Sequence, residues 1–273
     1  MSAESSAAAP AALADAPPIE PGLPPATLRY FAWLYAGPAE RARLGVLVKI
    51  ETEIATSLRA GMDHHVAHTR LEWWADECER FREQRPAHPL TKELLRIQAP
   101  SAAWRGPEGL VSTATWDLAG APFDSRRELA NYCSRWAAAM FPREAVLLGA
   151  AVREIEMLFE LALDARAGRL RVPLDELDRA GVAPESLARR PWPEPLAALI
   201  RKRLQDLRFE LATAQSALSN GDALNRRGVL VWTALAERLS RRIEGALPDI
   251  ARPRRFDTMT DAWAAWRAAR RVG

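Results

Sequence analysis

Apolar positions recur along most of this chain at spacings of three and four, and no run sustains the alternation of a strand. The pattern predicts an all-α protein. Thr27 is placed to cap a short helix whose apolar face is Leu28, Phe31, Trp33 and Leu34, stopped by Gly37-Pro38. A second helix spans about 39–59, with Leu44, Leu47, Val48, Ile50, Ile54 and Leu58 inward, and a third about 63–82, with Val66, Ala67, Leu71, Trp74 and Cys78 inward. Two more, 110–118 and 126–141, flank AGAPFDS, where Asp124 or Ser125 caps the second. Next, Leu147, Leu148, Ala151, Ile155, Leu158 and Leu161 or Ala162 give about four turns with one apolar face, the sign of a buried helix. Gly168 ends it, and Val172-Pro173 makes an extended step before Leu174 opens a new amphipathic turn. Beyond the connector broken at Arg190-Pro191 and Trp192-Pro193, two long helices follow, about 195–220 and 222–246, turning at Asn220-Gly221. Leu224, Val229, Leu235, Leu239 and Ile243 form the stripe of the second. The sum is a single-domain bundle of about eight to ten helices.

Composition sets the edges of that domain. Residues 1–25 are Ala, Pro and Ser with almost no large apolar side chains, so they cannot bury enough surface to offset ordering and are expected to be a disordered tail. The helical domain then runs over 26–250 and a basic tail over 251–273. With 273 residues, 48% of them hydrophobic, one sizeable core is within reach. A formal charge of +3, spread through interleaved acids and bases, is too mild for a nucleic-acid binder. Cys78 and Cys133 lie far apart within helical patterns, as buried reduced thiols do. The sequence has neither a spanning apolar run nor a secretory leader, which predicts a cytoplasmic protein, with peripheral contact to the inner membrane still open. The tail carries Trp263 and Trp266 beside Arg267, Arg270 and Arg271; such a helix either lies on an anionic membrane surface or packs its indoles on the domain.

Two clusters carry candidate chemistry. Glu156, Glu160 and Asp164 follow one another at i, i+4 and i+8, stacking three carboxylates on one strip of the long helix. They read either as a solvated acidic stripe paired with Arg153 and Arg166 or as a cation site. His64 and His68, at i and i+4, could clamp a transition metal, but nothing else in the sequence completes such a site, and exposed or core-satisfied histidines are the simpler reading.

Gly168-Arg169, Pro173, Leu177 and Gly181-Val182 follow that acidic helix, and together with it they resemble the squalene/phytoene synthase family. The family's second aspartate-rich helix ends in a pattern like NxxRDxxEDxxxGRxYLPxxxLxxxGV. Glu160 and Asp164 stand where it has its two metal-binding aspartates; Glu156 replaces an asparagine, Arg153 a glutamine and Phe159 an arginine. RLEWWADE, followed by RPAHPLTKEL, resembles a scaffold segment of the same family. Asp117, Glu128, Leu129, Tyr132, Cys133 and Ala137 match a run like GMxxDL, YxTxxEL, YCxxVAGxVG. The resemblance extends over about Tyr30 to Ala246.

It implies an isoprenoid-synthase bundle in which two aspartate-rich helices hold magnesium while two C15 or C20 prenyl diphosphates are joined head to head. Here the departures fall on function. Ala55, Thr56 and Arg59 occupy the three aspartate positions of the first motif, and none supplies the anionic oxygen that magnesium requires. Ala138 and Phe141 replace two glycines, so with Asp117, Tyr132 and Phe159 they are the candidate pocket lining, and the bulk of Phe141 favours filling. Arg59 is expected to pair with Glu160 or Asp164 across the bundle, in place of a metal bridge. The resemblance therefore implies a catalytically degenerate relative, a binding or assembly protein with a prenyl lipid or a protein as partner and no cofactor; the family includes a mitochondrial complex I assembly factor that also lacks the first motif. The rival expectation is an active magnesium-dependent prenyl transferase using Glu160 and Asp164. A third is a purely structural helical module.

Overall fold

The structure is a computed structural model that describes residues 22–59, 61–98, 106–218, 226–249 and 258–271. Among these there are eleven α-helices and no strand. The helix at the centre is α7 (Val146–Arg166), and its sequence explains its place. Leu148, Ala151, Ile155, Leu158 and Ala162 make one stripe, and Val152 and Leu161 widen it until more than half the circumference is apolar and buried. Three helices cover α7: α6 (Arg126–Met140), α9 (Glu194–Ala217) and α10 (Arg227–Ala246). Outside α10 lie α1 (Leu28–Tyr35) and α11 (Thr258–Arg270). On the other side α2 (Pro38–Ala55) packs on α4 (Pro89–Gln98) and α5 (Glu108–Ala119), α3 (His64–Arg82) packs on α5, and α5 on α6. The short α8 (Leu174–Arg179) follows the extended step after Gly168, whose φ of +80° is the left-handed turn that stops α7.

Buried polar groups fix how these helices meet. Glu77 of α3, fully buried, accepts from the backbone N–H groups of Ala87 and His88, both at 2.8 Å, and from Arg80 and Thr91. Burial alone would raise its pKa, but these hydrogen bonds outweigh it and the carboxyl sits below its ordinary value. RLEWWADE and RPAHPL are thus one device, in which Glu77 receives the N-terminus of α4. Glu154 of α7 plays the same part for α6 and α9, accepting from Arg126 Nη2 and Arg203 Nε, each at 2.7 Å.

Several expectations require correction. Among the described residues there are eleven helices against the eight to ten expected: α4, whose Leu90, Leu94 and Ile97 recur at helical spacing, is a separate helix, and α11 is a full one. Leu147 is exposed, sitting in the first turn of α7 beside the buried stripe, and Val66 is exposed in the first turn of α3. Leu23 is wholly buried, and Gly22 lies so close to Thr52 and Val48 of α2 that a Cβ there would meet them at 2.6 Å. Residues 1–21, the Asn220-Gly221 turn, Leu224 and residues 251–257 lie outside the described residues. Thr27 caps α1 as expected, its hydroxyl accepting from Tyr30 N at 3.0 Å. Cys78 and Cys133 are free and buried, and burial pushes the Cys78 thiol up to about 12.

Candidate functional site

The interior between α1, α2, α6, α7 and α10 is occupied by charge pairs set among aromatic rings. Arg29 of α1 is its centre. Its Nη2 donates to Glu156 Oε2 of α7 at 2.9 Å and its Nη1 to Glu51 Oε2 of α2, so one guanidinium reaches a carboxylate on each of two helices. The indole of Trp136 donates to Glu51 at 2.8 Å and that of Trp232 to Glu156 at 3.2 Å. The Arg29 guanidinium also lies 5.2 Å from the centre of the Trp136 ring and 5.7 Å from that of Trp232. Burial favours the neutral form of Arg29, but Glu156 and Glu51 outweigh it and its pKa lies above the ordinary value. For Glu156 burial works upward, but Arg29, Arg153 and the Trp232 indole together outweigh it, and the net shift is down. Both groups are therefore charged, and each holds the other so.

Aromatic side chains fill the space around these pairs. Phe141 is 1% exposed, with its ring centre 4.8 Å from that of Trp232 and 6.1 Å from that of Trp136. Its ring lies against Gly149 of α7, where a Cβ would meet it at 2.6 Å. The glycine that lets two helices approach here is on α7, and the phenylalanine on the facing chain uses the room it leaves. Ala138 departs from expectation: it lines a surface groove with Arg82 and Arg143 rather than the interior. The helical turn supplies the reason, since the neighbouring Ala137, 0% exposed, takes the inward direction.

A second cluster closes the far end of α7. Asp164 Oδ1 faces Arg169 at 3.0 Å, and its Oδ2 accepts from Arg171 Nε at 2.9 Å. Arg171 then reaches Asp117 Oδ1 at 2.6 Å, and Tyr132 donates to Asp117 Oδ2 at 3.0 Å. Asp117 and Tyr132 are thus part of a lock joining α5, α6 and the end of α7. In the pattern GRxYLP, Arg171 occupies the place of the tyrosine, so the cation that occupies Asp164 is itself a departure from the family's residues.

Between the clusters, Arg29, Arg153, Glu156, Phe159, Glu160 and Leu239 border a pocket of about 300 Å³, together with residues of the 22–28 segment. The three carboxylates therefore do not act as one strip. Glu156 pairs with Arg29 and, at 3.7 Å, with Arg153; Glu160 faces the pocket; Asp164 turns to Arg169 and Arg171. Arg166 donates instead to the backbone of Ala188.

The first-motif positions lie elsewhere. Ala55 and Arg59 are exposed, and the Thr56 hydroxyl accepts from Arg70 at 2.8 Å, on the outside of the bundle. The pairing expected of Arg59 with Glu160 or Asp164 is not what the structure shows: the bridging arginine is Arg29, and Asp164 is met by Arg169 and Arg171. Glu53 is also turned away, to His88 Nε2 at 3.2 Å. His64 and His68 are exposed, and His68 meets Glu72 at 3.1 Å.

Magnesium takes hard anionic oxygens in a near-octahedral array. Both oxygens of Asp164 face guanidinium groups, Glu51 and Glu156 share Arg29, and Ala55, Thr56 and Arg59 bring no carboxylate. The residues present do not fit a magnesium cluster, and among the described residues no group of three or more metal-ligating side chains is placed to hold an ion.

The described residues form an all-α bundle whose candidate site lies between α1, α2 and α7. The structure aligns with the crystal structure of a dehydrosqualene synthase in complex with ligand at a TM-score of 0.69, covering 89% of each chain at 15% identity. That likeness establishes the fold. The squalene/phytoene synthase family model matches residues 26–259, and the chain belongs to that family. No curated protein matches the chain.

Proposed function

We propose that this chain is a catalytically degenerate member of its family that acts as a binding or assembly protein rather than as a prenyl transferase. The observation that carries the reading is Arg29. Ionising an allylic diphosphate requires several cations held free to meet the leaving group. Here the cation between the two helices is a side chain already committed to Glu51 and Glu156, and Asp164 is committed to Arg169 and Arg171. Any magnesium would have to displace two guanidinium groups from their carboxylates. Trp136, Phe141 and Trp232 fill volume that two prenyl chains would need.

The pocket of about 300 Å³ beside Glu160 is at the lower end of the range for small-molecule sites, so one short prenyl lipid is a better match to it than two substrates. A prenyl lipid or a protein is the partner of this reading, which is related to isoprenoid metabolism or to a membrane complex. The test is to incubate the purified chain with farnesyl and geranylgeranyl diphosphate and magnesium, following diphosphate release together with C30 and C40 products. The expected result is no release above a control without protein. Turnover that Glu160→Ala or Asp164→Ala abolishes would overturn the proposal.

A further inference from the structure

The two tryptophans of α11 do not pack on the domain. The helix is held to α1 and α10 by its other face, through Ala265, Ala268 and Ala269 and through Asp261, which is 2% exposed. Asp261 accepts from Arg238 Nε of α10 at 3.1 Å and from Arg242, and Arg238 also donates to the Thr260 hydroxyl at 2.9 Å. These contacts pin the first turn, so the direction of the outer face is fixed. That face carries Met259, Trp263 and Trp266, at 82%, 56% and 44% exposure, and their spacing of i, i+4 and i+7 makes one stripe. The Arg267 guanidinium lies 4.5 Å from the centre of the Trp263 ring, and that of Arg270 lies 4.6 Å from Trp266. Asp261 is the single acid among residues 258–271 and it is buried, so with Arg271 the exposed face carries only positive charge.

We propose that this face docks the protein on an anionic phospholipid bilayer, with α11 lying in the plane of the interface. An indole has an apolar body and a polar N–H, which suits the boundary between headgroups and acyl chains, and guanidinium groups beside it meet lipid phosphates. The charge of the face complements an anionic leaflet, and no other acid on the helix opposes it. No described helix is long and apolar enough to cross a membrane, so contact of this kind is interfacial. Two indoles and a methionine bury little area, which makes the docking reversible and dependent on lipid charge and salt. It does not rest on the loss of catalysis proposed above, since α11 stands outside the site.

The test is co-sedimentation of the full chain with vesicles of phosphatidylcholine alone or mixed with phosphatidylglycerol. Partition is expected to favour the anionic vesicles by roughly tenfold or more and to weaken as salt is raised. The pair Trp263→Ala with Trp266→Ala and the pair Arg267→Glu with Arg270→Glu should each remove most of it. Both pairs should leave the circular dichroism spectrum unchanged, because these side chains are exposed. The pair Arg267→Lys with Arg270→Lys, which keeps the charge, should retain binding. No partition onto anionic vesicles overturns the proposal, and so does partition indifferent to both charge reversal and tryptophan removal. Loss on charge reversal with no effect of removing the tryptophans also overturns it, since that is surface adsorption without interfacial seating.

Discussion

Arg29 illustrates why single residues were the least legible part of this sequence. In LRYFAWLYA it reads as the solvated flank of a short helix, and its partners Glu51 and Glu156 lie 22 and 127 positions away. The need for a cation opposite the acidic helix could be argued from the sequence, but the residue that meets it is set by where α1 lands. Glu51 carries a weak signal, since it precedes Ala55 by one helical turn and so shares its side of α2. Arg171 carries a stronger one, because an arginine in place of a family tyrosine two residues beyond Arg169 marks a new charge near Asp164. The two arginines therefore separate in a mutational test. Arg29→Met should cost on the order of 3 kcal/mol, because it leaves two largely buried carboxylates unpaired. Arg59→Met, on the surface, should stay within about 0.5 kcal/mol. Urea unfolding measures both, and adding Glu156→Gln to Arg29→Met should recover part of the loss. A silent Arg29→Met would mean that the pairing does not hold the helices.

Glu40 offers a second measurement at this scale. It is 8% exposed at the start of α2 and its Oε2 is buried without a hydrogen-bond partner; Arg43 and the backbone N–H groups of Gly37 and Gly228 favour its ionised form, and Glu144 opposes it. Burial raises its pKa from 4.5 to about 8, with Arg43 and the nearby backbone N–H groups offsetting only part. The folded chain thus keeps a proton that the unfolded chain releases near pH 4.5. This contribution to stability is full below that pH and is lost as pH rises through about 8. The slope for one retained proton is at most about 1.4 kcal/mol per pH unit. Glu40→Gln should flatten the melting temperature across that window, and an unchanged profile would show that Glu40 is already ionised when folded.

Helices were far more legible than individual residues, because burial of one face forces a period that survives loss of chemistry. Apart from the exposed Leu147, and with Leu224 outside the described residues, the stripes of α2, α7 and α10 are where the spacing puts them, and Gly168 ends α7 as its sequence demands. What periodicity could not give was the docking itself, which depends on contacts between segments far apart in sequence. α4 packs on α2 through Leu94, wholly buried, and its N-terminus is received by Glu77, while Leu23 and the close approach of Gly22 to α2 seat the 22–25 segment. From composition alone, removing residues 1–24 should change nothing. With Leu23 wholly buried, that truncation is expected to lower the melting temperature by several degrees, and Leu23→Ala by itself should cost about 2 to 3 kcal/mol. Thermal melts of the two variants beside the full chain decide this, and unchanged transitions would return the segment to the tail.

At the scale of the whole molecule, the chain keeps the fold of its family while, on the reading proposed above, arginines stand where that fold would hold its metal ions. Family membership and the all-α bundle were readable because the scaffold motifs persist, RLEWWADE through Glu77 above all. The fate of the interior was readable only in outline. Phe141 does fill it, while Ala138 faces the other way, and the number of carboxylates still available to a metal depended on guanidinium groups that only the assembled bundle brings near.

The central claim, that arginines occupy the place of the metal ions, is tested most directly by melting the protein with and without magnesium and inorganic diphosphate. A ligand at about a hundred times its dissociation constant stabilises the folded state by about 2.7 kcal/mol, a shift of several degrees for a chain of this size. The account predicts a melting temperature that stays within about 1 °C across millimolar additions, because no site binds the pair. A rise of several degrees that requires both magnesium and diphosphate, and that disappears in Asp164→Asn, would contradict it.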